Sequence, residues 1–165
     1  MSKTILIATD FSLESLNIMK KVLREKNSSH DSAQFKILLV SGYDAGDSIR
    51  DLLFNNKGKI LSKIRSAEFC EALSIIKNKY PDLVSKITCD IFTGYFQRTF
   101  DQYLKAADVE EAYYSESLKE INHSGKFDIV PFLKKTDLIE AKEIKVITPD
   151  FMPEKGKIAE VFVEV

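Results

Sequence analysis

The apolar run Thr4-Ile5-Leu6-Ile7-Ala8-Thr9 is stopped by Asp10-Phe11-Ser12, and helical spacing begins at Leu13. A short strand that ends on an acid and passes at once into a helix is how doubly wound α/β domains open. Ligands in such sheets bind outside the carboxyl ends of the strands, which is where Asp10 would stand. The feature constrains architecture strongly and chemistry weakly.

The rest of the chain continues that alternation. Ser12 is placed to cap the first helix through its hydroxyl, and Glu14 suits the positive end of the helix dipole. Leu16, Met19, Val22 and Leu23 then share one face, opposite Lys20, Lys21, Arg24 and Glu25. Residues 35–41 read as a second strand, apolar enough to be buried on both sides as parallel strands are. Asp47 or Ser48 is placed to cap a short helix carrying Ile49, Leu52 and Leu53, after which Gly58 interrupts. A long helix is predicted over 59–79. Phe69, Leu73, Ile76 and Tyr80 form its stripe, Ile60, Leu61 and Ile64 lie on a rotated face, and Pro81 ends it.

Residues 86–92 read as the third strand, with Phe96, Phe100, Leu104 and Ala107 as the buried face of the helix after it. The alternation requires a fourth strand at 109–115, although Glu110-Glu111 is unusual in a central strand. One of the adjacent Tyr113 and Tyr114 would have to point away from the core. A short helix at 127–135 contains Pro131, and a fifth strand covers 143–148. The expected architecture is a doubly wound five-stranded parallel sheet with helices on both faces.

A single domain spanning 1–165 is expected, with its core at about 3–149 and an extension at 150–165. Within that extension Ala159, Val161, Val163 and Val165 alternate with Ile158, Glu160, Phe162 and Glu164. This is the period of a half-buried strand. The connection before it is too short for a parallel crossover, so it predicts an extra antiparallel strand, on the chain's own sheet or across a dimer axis.

Several function classes are excluded by composition. The 24 basic residues nearly cancel the 25 acidic ones, so no overall field recruits nucleic acid or anionic lipid. No apolar stretch approaches the ~20 residues of a membrane span. Asp10 breaks the opening run before signal-peptide length, and Cys70 and Cys89 have no metal or redox spacing. A cytoplasmic protein with free thiols is expected. There is no Walker-type loop and no Gly-x-Ser-x-Gly elbow, and His30 and His123 are isolated. A phosphorylated receiver domain would need a second acid where Thr9 stands, an Asp near Phe92-Thr93 and a Lys at Thr148. The expectation is a protein that is not an enzyme and holds no metal.

The opening Ile5-Leu6-Ile7-Ala8-Thr9-Asp10-Phe11-Ser12, followed directly by its helix, resembles the universal stress protein family. The order of elements fits over about residues 3–149. The resemblance implies a five-stranded parallel sheet in a protein that is usually a homodimer; some members bind ATP and others do not. In the binding branch, the acid after the first strand contacts the adenine end of the nucleotide. Asp10 matches it, with Ala8 and Thr9 before it, and Val40 and Ser41 would line the same pocket from the second strand.

The family's phosphate segment carries Gly, two residues, Gly, nine residues, then Gly with Ser or Thr. Ala112, Ser115 and Gly125 fall at that spacing here, with Lys126 next. Only the last glycine survives, so two positions of close backbone approach carry a Cβ. The resemblance therefore implies a non-catalytic protein with a degenerate nucleotide pocket and no cofactor, acting through self-association or a protein partner. Its alternative is an ATP-binding regulatory stress protein, in which Asp10, Gly125 and Lys126 hold the nucleotide. Asp10 also has a plainer role open to it, as a polar stop whose carboxylate accepts amides from the helix start.

Overall fold

The computed structural model describes residues 2–29, 34–43, 57–115 and 126–145. In chain order these form β1 (Ser2–Ala8), α1 (Leu16–Ser28), β2 (Gln34–Tyr43), α2 (Lys57–Ile64) and α3 (Ala67–Lys79). Then come β3 (Val84–Phe92), α4 (Gln97–Ala106), β4 (Val109–Tyr114), β5 (Lys126–Phe127), α5 (Val130–Lys135) and β6 (Ala141–Glu143). Five strands lie parallel in the order β3-β2-β1-β4-β6.

The continuous apolar run of β1 is explained by its place at the middle of this sheet. Ile5 and Ile7 face one core together with Ile37 and Leu39 of β2. Leu6 and Ala8 face a second core with Leu38 and Val40. Helices α1, α2 and α3 cover the first core through Leu16, Met19, Leu23, Ile60, Leu61, Phe69 and Ile76. Helices α4 and α5 cover the second through Phe100, Leu104, Val130 and Leu133. With both faces covered, a parallel strand has no polar side to show.

Two adjacent tyrosines in β4 follow the same logic. Tyr113 belongs to the first core and Tyr114 to the second, and both are buried. The two rings point to opposite faces and each fills a core, because the sheet is sandwiched at that end.

The paired glutamates are accommodated by a bulge. Thr4 lies opposite Val109 but Ile5 lies opposite Glu111, so Glu110 is the extra residue and is exposed. β6 joins β4 only from Ala112 onward, which leaves the Glu110-Glu111 end open on that side. Glu111 accepts from Lys26 of α1 at 2.8 Å and from the Tyr113 hydroxyl at 3.0 Å. Partial burial would raise the Glu111 pKa, but the hydrogen bonds from Lys26 and Tyr113 and the Lys26 charge hold it below the usual carboxylate range.

The structure revises several boundaries. The predicted 59–79 helix is two helices, broken where Ser66 adopts extended backbone and caps α3 by accepting from the Phe69 amide at 3.1 Å. That break is why Ile60, Leu61 and Ile64 sat on a rotated face. Gly58 lies inside α2 and interrupts nothing. Phe96 precedes α4 in extended conformation, so it leaves the helix's apolar face and is 71% exposed. Lys126 and Phe127 are a strand, and α5 starts only at Val130, whose amide donates to the Asp128 carboxylate at 2.9 Å. The fifth parallel strand begins at Ala141, ahead of its predicted start. The predicted helix at 47–53, both histidines and the strand at 157–165 lie outside the described residues. Among the described residues, no helix is long and apolar enough to cross a membrane.

Candidate functional site

From β1 the chain winds outward through α1 to β2 and on to β3. It then returns through α4, on the other face, to lay β4 against the opposite flank of β1. The direction of winding reverses at the carboxyl end of β1, and this is the crevice where α/β sheets bind ligands. Ala8 lies opposite Val40 and Ile7 opposite Tyr113, so β1 and β4 end together there beside β2. Of the residues expected to form a site, Ala8, Val40 and Ala112 meet in one core. Thr9 joins them by donating its amide to the Val40 carbonyl at 2.9 Å.

The turn that leaves β1 satisfies its own polar groups. The Thr9 hydroxyl accepts from the Phe11 amide at 2.9 Å and lies 2.7 Å from the Ser15 hydroxyl. Ser15 spends its one proton on the Ser12 carbonyl at 2.6 Å, so Thr9 is the donor in that pair. The Asp10 carboxylate accepts from both the amide, at 2.9 Å, and the hydroxyl of Ser12. Ser12 Oγ accepts from the Ser15 amide at 3.2 Å, and the amides of residues 15–18 bond to carbonyls three positions back. Ser12 thus caps a 3₁₀-like turn, and α1 proper begins four residues after it. Asp10 fills its plainer role as acceptor at the start of this turn.

This geometry costs backbone strain. Phe11 has φ of 61°, in the left-handed region that non-glycine residues rarely enter. Its buried ring meets Phe69 edge-on at 5.7 Å, which anchors the turn against α3.

Beyond the end of β1 the crevice is occupied by the chain itself. β2 runs on past its last pairing with β1 through Ser41, Gly42 and Tyr43. One edge of Gly42 pairs with Phe92 of β3. The other edge, vacated by β1, pairs antiparallel with β5, Gly42 opposite Phe127 and Tyr43 opposite Lys126. β5 therefore continues the line of β1 past Thr9. A Cβ on residue 42 would lie 2.4–2.5 Å from the Phe127 ring and carbonyl oxygen, so only glycine permits the approach. The Phe127 ring lies 6.3 Å from Phe92 and 6.4 Å from Phe132, beside a cluster in which Phe92 meets Phe100 at 5.0 Å.

Ala8, Thr9, Val40, Ser41, Ala112 and Ser115 are all buried under this arrangement, and Asp10 is half-buried. The backbone of Lys126 lies in β5, and Gly125 lies outside the described residues. Sequence reasoning missed Gly42, Phe92 and Phe127. The available signal was a glycine at the end of a buried strand, which marks close approach by another backbone. Among the described residues, no group of three His, Cys, Asp or Glu side chains is placed to hold a metal ion.

No protein-family model matches the sequence, and no curated protein is significantly similar to it. Solved structures are. A protein from the universal stress protein family from Burkholderia pseudomallei is 10% identical, with 86% of this chain and 95% of that one covered and a TM-score of 0.52. Universal stress protein UspA from Lactobacillus plantarum is 13% identical, with 87% and 97% covered and a TM-score of 0.49. A universal stress protein in complex with cAMP is 11% identical, with 87% and 97% covered and a TM-score of 0.47. The likeness to the Burkholderia protein is one of fold, and extends over most of both chains.

Proposed function

We propose that this chain, which shares the fold of the universal stress proteins, is a non-catalytic protein whose nucleotide crevice is degenerate. It acts through association with itself, as a homodimer, or with a protein partner, in a reducing compartment such as the cytoplasm. The observation that carries this reading is β5, whose backbone pairs with Gly42 and Tyr43 in the place a ligand would take at the end of β1. Two further features support it. The Thr9, Ser12 and Ser15 hydroxyls are committed to partners inside their own turn. Ala112 and Ser115 add side-chain bulk on the flank where a phosphate-binding wall needs bare backbone.

Thermal-shift titration with ATP and magnesium tests the proposal. A ligand present at a hundred times its Kd adds about 2.7 kcal/mol to a folded state it binds exclusively. For a domain of this size that raises Tm by about 5–10 °C. The expected result is no shift. A clear shift that disappears in Asp10→Ala would replace this reading with that of an ATP-binding regulatory protein. Light scattering of the purified chain gives the oligomeric state, expected to be a dimer.

A further inference from the structure

We infer that β5 is a displaceable occupant of the crevice: docked on Gly42 and Tyr43 it excludes ring-bearing ligands such as nucleosides and nucleotides, and released it admits them. The inference rests on the reading above and adds a regulation to the same site.

Three observations separate β5 from the strands that hold the fold together. Its hold is small, two residue pairs at the extreme end of β2, whereas β1 pairs with β2 over Ser2–Ala8. Short terminal pairings of this kind belong to the low-stability end of a structure and open without global unfolding. Its release gives up the Phe127 ring's contacts with Phe92 and Phe132, but other contacts around it do not involve β5. Gly42 keeps its partner Phe92 in β3, Phe92 keeps Phe100 at 5.0 Å and Phe132 at 5.6 Å, and Asp128 still caps α5. Finally, the closest approach to Gly42 comes from one residue. The three atoms nearest a Cβ on residue 42 all belong to Phe127.

The chemical class of the competing ligand follows from what β5 contributes. Phe127 places a half-buried planar ring next to the rings of Phe92 and Phe132. The group that substitutes for it is another flat ring, and aromatic neighbours favour edge-to-face or offset packing with such a ring. A ligand carrying only phosphate has nothing to place there.

Gly42→Ala is the direct test, because its methyl group must expel β5 while β2 keeps its pairing with β3. Hydrogen exchange should show the β5 amides exchanging at least about tenfold faster than in wild type, with β1 protection unchanged. Adenosine should raise the Tm of Gly42→Ala, and neither adenosine nor ATP should raise that of wild type. Phe127→Ala vacates the ring position without a backbone clash, and should likewise bind adenosine if Gly42→Ala fails to fold. The inference is overturned if β5 stays protected in Gly42→Ala. It is equally overturned if a folded variant with β5 released binds neither probe, or binds ATP but not adenosine. Wild type binding ATP would instead bring down the degenerate-crevice reading, so the two failures are distinguishable.

Discussion

The Lys26–Glu111 pair fastens α1 to the bulged end of β4, and its removal offers a quantitative check on how the sheet tolerates two acids. The charges lie 2.8 Å apart, with the Lys26 and Glu111 side chains 21% and 31% exposed. At that distance the Coulomb attraction is about 1.5 kcal/mol in the dielectric of bulk water and rises as water is excluded. Desolvation and lost side-chain freedom offset part of this, and exposed pairs measure about 0.2–1 kcal/mol. Partial burial and the shared Tyr113 hydroxyl, 3.0 Å from the same carboxylate oxygen, put this pair at the upper end. A double-mutant cycle with Lys26→Met and Glu111→Gln, followed by urea unfolding, should therefore give a coupling energy of about 1 kcal/mol. The cycle has a pH signature. Glu111 titrates below its unfolded value of about 4.3, so its contribution is complete above that pH and is lost as pH falls through the depressed folded value. Glu111→Gln should flatten the acid limb of the stability curve. A coupling below about 0.3 kcal/mol, or an unchanged acid limb, would mean that the open flank of β4 tolerates the acid without Lys26 and would refute the argument.

Three other expectations follow from the geometry. At Phe11 the usual order of small residues should invert: both Phe11→Ala and Phe11→Gly lose the ring, but Gly is free of the left-handed penalty and should be more stable than Ala by about 1 kcal/mol in urea unfolding. Ser66→Ala removes the acceptor for the Phe69 amide at the break between α2 and α3, and should cost about 1 kcal/mol by the same assay. Burial and the 2.6 Å hydrogen bond to Asp90 push the Tyr103 phenol far above its ordinary pKa. Its contribution is therefore full below the unfolded value of about 10 and declines as pH rises beyond it. The urea midpoint of wild type should fall across that range more steeply than that of Tyr103→Phe.

The parallel sheet was readable because burial on both faces leaves runs such as Ile5-Leu6-Ile7-Ala8 with little polar interruption. The position of Asp10 was readable for the same reason, since whatever ends such a run must stand at the strand's mouth. What could not be read were features decided by distant partners. Glu110-Glu111 looked wrong for a strand because the bulge opposite Thr4 and Ile5, and the late arrival of β6, are properties of neighbouring strands. The stripe from Phe69 to Ile76 hid the break at Ser66, although the rotated positions of Ile60 and Leu61 were its trace. β5 was invisible because two residues carry no period. Its meaning comes from Gly42, far away in the chain, and the glycine alone does not name its partner.

The bridging of Gly42 by Phe127 has a consequence during synthesis. A ribosome releases the segments that become β1, β2 and β3 well before residue 127 emerges, and chains fold from their amino-terminal portion onward. Throughout that interval the far tip of β2 carries backbone donors and acceptors whose eventual mates are still untranslated, a template for any passing extended peptide. The nascent protein is thus most open to unwanted pairing midway through translation, and its own final third is what ends the exposure.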